Sequence, residues 1–155
     1  MVKLQIWDTC GQEFYRSLVS SFYRNTSLAI IVYAINNQKS FDDLDLWIKD
    51  LKSNSSPDIK IFLIGNKADL AEERVISKEM AEKIKEDYEL DYFMETSAKT
   101  GLNIQDLFVK AAKVLFEDYS DYKKEKRHRE KIVNQEKENK SLIEKKEKKN
   151  KGKCC

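Results

Sequence analysis

At 155 residues the chain has room for one domain with a packed core, while a mean hydropathy of −0.68 sets part of it apart from that core. Its 29 Lys and Arg against 27 Asp and Glu look balanced until divided: residues 1–120 carry 15 basic and 20 acidic residues, and residues 121–155 carry 14 and 7. The acidic body and basic end are read as one domain plus a tail. No apolar run approaches the roughly 18 residues of a membrane-spanning helix, the start MVKLQIWDTC lacks a signal-peptide layout, and Cys10, Cys154 and Cys155 fit neither a disulfide framework nor a zinc site. The body is therefore expected in a reducing, cytosolic setting.

Val2, Leu4 and Ile6 alternate with Lys3 and Gln5, which predicts a strand with one buried face running into Trp7 and Asp8. Leu28 to Ile35 (LAIIVYAI) and Lys60 to Ile64 (KIFLI) are continuous apolar, β-branched runs, the pattern of strands covered on both faces. Between them Phe41, Leu44, Trp47, Ile48 and Leu51 share a face of a helix predicted over Ser40 to Leu51, and the loop Ser53 to Asp58 leads into the second long run. A helix over Ser77 to Tyr88, a short strand at Tyr92 to Met94 and a helix over Ile104 to Phe116 follow, with Ser40, Ser77 and Asn103 as predicted N-caps. Strands alternating with amphipathic helices imply an α/β fold with a mostly parallel sheet, whose ligands sit beyond the carboxyl ends of the strands.

Three motifs fall at those ends: Asp8-Thr9-Cys10-Gly11-Gln12, Gly65-Asn66-Lys67-Ala68-Asp69 and Thr96-Ser97-Ala98-Lys99. A carboxylate such as Asp69 can accept from the adjacent N1–H and N2 amine of guanine, a donor pair that adenine lacks. Asn66 can donate to N7, the Lys67 stem can lie along the base plane, and the Ala98 N–H can meet O6. The two loops are unequal in weight to Asp8 and Gly11, because N-K-x-D arises by composition in only about one chain of this length in fifty, and D-x-x-G far more often. Asn66 to Asp69 would otherwise be a turn with a helix cap.

The sequence resembles the Rab branch of the Ras-like small GTPases through Trp7-Asp8-Thr9, Gly11-Gln12-Glu13, Tyr23-Arg24, Val32-Tyr33, the two base loops and Cys154-Cys155, over Val2 to about Phe116. The resemblance implies a GTP/GDP switch in vesicle traffic, at the cytoplasmic face of intracellular membranes and cycling with the cytosol. It implies Asp8 holding Mg²⁺ through a water, Gly11 meeting the γ-phosphate, Gln12 orienting the attacking water, and Asn66, Lys67, Asp69, Ser97, Ala98 and Lys99 binding the nucleotide. Trp7 and Phe22 match two aromatics of the effector-facing patch. Exchange factors, GTPase-activating proteins, effectors, a prenylation escort and a GDP-dissociation inhibitor are the implied partners, and no nucleic acid. Cys10, Phe14 and Ala34 depart from the family pattern; Cys10 lies where the γ-phosphate is expected.

No G-x-x-x-x-G-K-[ST] occurs among the four glycines, Gly11, Gly65, Gly101 and Gly152, so the phosphate cradle, the first switch, and the family's first strand, first helix and second strand are not in this sequence. The resulting expectation is a small GTPase domain over 1–118, incomplete at its N-terminus, whose full form hydrolyses GTP. The rival is a non-catalytic, membrane-tethered interaction module. In the family the absent strand lies between those matching Val2 to Trp7 and Leu28 to Ile35, so its loss is expected to split the sheet.

Residues 119–155 form the tail, rich in Lys and Glu, with Ile132, Val133, Leu142 and Ile143 its strongly apolar residues past Asp121. It is expected to be a disordered or loosely helical tether, and as a coil to average roughly 30 to 35 Å end to end. Its basic end, Lys145 to Lys153, is suited to an anionic leaflet. Cys154-Cys155 resembles a doubly geranylgeranylated terminus, and two lipid chains with a basic stretch suffice for stable anchoring.

Overall fold

The structure is a computed structural model that describes residues 2–9 and 22–151, with side chains through Arg127 and that of Arg129. It divides into two compact units, Met1–Leu115 and Phe116–Cys155. In the first, the apolar runs form strands β1 (Leu28–Ala34), β2 (Lys60–Asn66) and β3 (Tyr92–Glu95), hydrogen-bonded in the order β1-β2-β3. Both pairings are parallel, with Ile31 opposite Leu63 and Ile64 opposite Met94. Parallel neighbours need crossovers, and helices supply them: α1 (Gln38–Asp42) and α2 (Leu44–Asn54) join β1 to β2, and α3 (Lys78–Asp87) joins β2 to β3. The last helix is α4 (Ile104–Lys151).

Because strand side chains alternate, β2 serves two cores. Ile61 and Leu63 pack with Tyr33, Leu44, Ile48, Leu51 and Ala81 on one face, whereas Phe62 and Ile64 meet Leu107 and Ala111 of α4 on the other. This central strand is buried from Ile61 to Gly65. Fully burying a Leu or Ile side chain contributes about 1.5–3 kcal/mol, so these two clusters hold the ends of β2 and β3 in place.

Two local expectations change. The helix predicted from Ser40 is two helices, and Asn37 is the cap, its Oδ1 accepting the Ser40 N–H at 3.0 Å. The Ser40 hydroxyl instead donates to Asn37 O at 2.8 Å and accepts from Ala34 N–H at 3.0 Å, tying α1 to the end of β1. Asn103 does not cap α4 with its side chain: it sits at φ +59° and donates through Nδ2 to Glu95 O at 2.8 Å. Ser77 caps α3 as predicted, accepting from Met80 N–H at 3.2 Å.

The strand predicted at Val2 to Trp7 is not formed. Residues 2–9 lie outside the sheet, with Ile6 66% and Trp7 69% exposed. Alternation in sequence makes a strand only where an edge is available in register, and the described sheet ends at β1 on one side and β3 on the other.

In the second unit the tail is helical to Lys151, beyond the predicted end at Phe116. Lys, Glu and Arg are good helix formers, and the pairs Lys124–Asp121 at 2.8 Å and Arg129–Glu125 at 3.5 Å have the helical spacing that adds about 0.2–0.5 kcal/mol each. Among the described residues no helix is long and apolar enough to cross a membrane.

Candidate nucleotide-base site

Asn66 is the last residue of β2 and Glu95 the last of β3, so parallel pairing delivers both following loops to the same end of the sheet. Two backbone bonds lock them together: Thr96 N–H donates to Gly65 O at 2.9 Å, and Ala68 N–H donates to Thr96 O at 3.0 Å. Lys67 takes the left-handed conformation, φ +66°, which turns the chain sharply after β2 and aims Asp69 back toward the second loop. A side chain in that conformation is strained by roughly 1–2 kcal/mol, held here by the bonds on either side. Gly101, φ +81°, closes the second loop, its N–H donating to Ser97 O at 2.8 Å.

Ser97 is fully buried, and its hydroxyl donates to Asp69 Oδ1 at 2.5 Å while accepting from Thr100 N–H at 3.1 Å. The Ser97 bond holds the Asp69 carboxyl below the usual carboxylate range, partial desolvation opposes it, and the Lys99 and Lys67 charges add a smaller push in the same direction as Ser97. Asp69 is therefore an ionised acceptor at neutral pH with lone pairs beyond the one Ser97 takes. The Lys99 ammonium stands 4.0 Å from Asp69 Oδ2 and is 79% exposed, a solvent-screened pairing.

Asn66 is oriented by the second loop: Ala98 N–H donates to its Oδ1 at 3.1 Å and Thr96 Oγ1 at 3.4 Å. Two donors on one atom identify it as the oxygen and leave the Asn66 amide nitrogen to donate outward. The Ala98 N–H, expected to meet O6, here donates to Asn66 Oδ1. Asn66, Lys67, Asp69, Leu70, Ala98 and Lys99 line a cleft of about 350 Å³, open to solvent. Its chemistry is one fixed carboxylate, one outward amide, a backbone N–H and two lysine stems, which fits a planar heterocycle with adjacent donors opposite the carboxylate.

Sequence reasoning named Gly65 and Thr96 within the motifs without a role and missed Arg74 behind these loops. Thr96, 2% exposed, braces Asn66, and Glu95 joins Arg74 in a two-pronged ion pair at 2.6 and 2.9 Å, with Arg74 also donating to Ile76 O at 3.0 Å. Gly65 is required by close approach: a Cβ there would lie 2.7 Å from the Tyr33 hydroxyl. Thr96 had a signal, its adjacency to Ser97; Arg74 had none.

Of the remaining predicted positions, Asp8, Trp7 and Phe22 are described and are not among the residues lining this cleft. Asp8 is exposed in segment 2–9, and Gly11 and Gln12 lie outside the described residues, as do Cys154 and Cys155. Trp7 and Phe22 do meet, ring centroids 5.6 Å apart, and are 69% and 46% exposed. Among the described residues no group of three or more His, Cys, Asp or Glu is placed to hold a metal ion.

Residues 1–117 match the model of the Ras family. Ras-related protein Rab-26 of Bos taurus is 46% identical over 114 residues, covering 74% of this chain and 44% of that protein. Rab-37 of Mus musculus is also 46% identical, over 74% of this chain and 51% of its own length, and Rab-4 of Dictyostelium discoideum 45%, over 74% and 55%. The chain spans about half the length of these relatives.

Proposed function

Because this chain belongs to the Ras family, we propose that it acts as a Rab-like guanine nucleotide switch in membrane traffic. The observation that carries this reading is the Ser97-fixed Asp69 carboxylate in a cleft beside an outward-facing Asn66 amide. Asp69 accepts from guanine N1–H and N2, Asn66 donates to N7, Ala98 N–H shares its proton with O6, and the Lys67 and Lys99 stems flank the ring. Adenine has no donor pair to meet Asp69 and would leave that carboxylate unmatched.

Members of this family bind GTP or GDP with Mg²⁺. Here Asp8 is assigned to the metal through a water, Gly11 to the γ-phosphate and Gln12 to the attacking water, in a whole protein that hydrolyses GTP. Trp7 and Phe22, already in ring contact, form part of the effector face. Cys154 and Cys155 carry geranylgeranyl groups, an escort protein and a GDP-dissociation inhibitor handle the lipidated form, and exchange factors and GTPase-activating proteins set the nucleotide state.

Titrating the chain with fluorescent GDP tests the base site directly. Micromolar or tighter binding, displaced by GDP and not by ADP, is expected; no binding by a folded, monomeric chain overturns nucleotide binding by these residues alone. Incorporation of geranylgeranyl groups into the wild-type chain, and none into C154S/C155S, tests the anchor separately.

A further inference from the structure

Helix α4 within the second unit has two unlike sides. At about 3.6 residues per turn, Glu117, Asp118, Asp121 and Glu125 recur every three or four residues along one side. Phe116, Tyr119, Lys123, Lys126 and Arg127 recur along the other, with Tyr122 beside Tyr119. The carboxylates thus keep to one side, where Lys124 pairs with Asp121 and Arg129 with Glu125, while the aromatics share the other side with Lys123, Lys126 and Arg127 and with no acid. These aromatics pack into no core: Phe116 is 58%, Tyr119 54% and Tyr122 61% exposed. The Lys123 ammonium lies over the Tyr119 ring, 4.8 Å from its centroid, so the cation and the ring form one surface.

We propose that this aromatic and cationic face of residues 116–127 lies along the headgroup region of an anionic bilayer leaflet. Tyr and Phe place an apolar body and, in Tyr, a polar tip at the depth where hydrocarbon meets headgroups. Lys and Arg stems extend beside them with the charge kept among lipid phosphates. The carboxylate-bearing side then faces water, which fixes the helix's rotation: turning it over brings four carboxylates, two of them paired with Lys124 and Arg129, to the anionic surface in place of three cations and the aromatics. A second copy docked by the same face would oppose its own cations, so charge complementarity selects the leaflet. The inference rests on the proposed membrane tethering for bringing a leaflet within reach, and its test removes the lipid anchors.

The full chain carrying C154S/C155S is sedimented with vesicles of equal parts phosphatidylcholine and phosphatidylserine, and with phosphatidylcholine alone. Salt-sensitive binding to the anionic vesicles only is expected. K123E/K126E/R127E and F116S/Y119S/Y122S each weaken it about tenfold or more, while E117Q/D121N does not. Should a triple change lower helicity by circular dichroism, Lys126→Glu and Tyr119→Ser carry the comparison. Equal binding to both vesicles, wild-type binding by both face variants, or no vesicle binding beside tight binding to RNA overturns the proposal. Loss of binding in this unlipidated chain leaves the prenylation reading standing, since that is read on Cys154 and Cys155.

Discussion

The Ser97 hydroxyl donates to Asp69 Oδ1 at 2.5 Å, joining the loop after β3 to the loop after β2. One bond therefore both positions the Asp69 carboxylate and lowers its pKa.

Replacing Ser97 by Ala should weaken GDP binding and change the acid limb of the stability curve. The Asp69 pKa is lowered in the folded state, chiefly by Ser97. A lowered carboxylate pKa stabilises the fold above the unfolded value, about 3.9, and that contribution is lost as pH falls through the folded pKa. Asp45, held low chiefly by Lys49, and Glu79, by its own backbone N–H, add to the same limb. Thermal melts between neutral pH and the carboxylate range should show a shallower acid loss in Ser97→Ala. A limb identical to wild type would contradict this.

Lys67 holds φ +66° in the base loop. Lys67→Gly removes the left-handed penalty of roughly 1–2 kcal/mol, offset by about 0.5–1 kcal/mol of added freedom in the unfolded chain. Denaturant midpoints should stay level or rise while GDP affinity falls through loss of the stem along the base. A drop in stability with unchanged affinity would reverse both assignments.

Gly65 and Tyr33 are coupled. A Cβ at Gly65 meets the Tyr33 hydroxyl at 2.7 Å and its ring carbon Cζ at 3.0 Å. Gly65→Ala should cost about 1–3 kcal/mol. The Tyr33 hydroxyl is buried without a hydrogen-bond partner among the described residues, and burial, then the Glu95 charge, push its pKa far above the ordinary phenol value. Tyr33→Phe should therefore be neutral or stabilising by up to about 1 kcal/mol. The double variant should recover part of the Gly65→Ala loss in a denaturation cycle; strict additivity would rule out the contact.

Arg74 grips Glu95 with both guanidinium nitrogens, and the Glu95 side chain is only 10% exposed. Removing Arg74 leaves Glu95 only the exposed Lys78, 3.6 Å away, so Arg74→Ala should destabilise by about 1–3 kcal/mol, with Arg74→Lys intermediate because it cannot make both bonds. Urea unfolding checks this. Glu95 ends β3 directly before Thr96 and Ser97, so GDP affinity should fall with stability.

The sequence by itself determined the strands from Leu28 onward, the parallel α/β plan, and the placing of the loops Asn66 to Asp69 and Ser97 to Lys99 after two of those strands. Each rests on local chemistry: β-branched runs, helical spacing, and side chains whose donors and acceptors are set by residue type. Ser77 was legible as a cap for the same reason.

What only the tertiary structure decided depends on partners distant in sequence. The pattern at Val2 to Trp7 reads as a strand, yet residues 2–9 remain outside the sheet, because a strand is defined by its neighbour's edge. Asn103 looked like a cap and instead reaches the Glu95 carbonyl. Thr96 bracing Asn66, Arg74 clamping Glu95 and Ser97 bonding Asp69 are pairings across 21 to 30 residues, invisible to any local rule. Residue types thus supplied the groups that can read a base, and the parallel register of β2 and β3 brought those groups to one cleft.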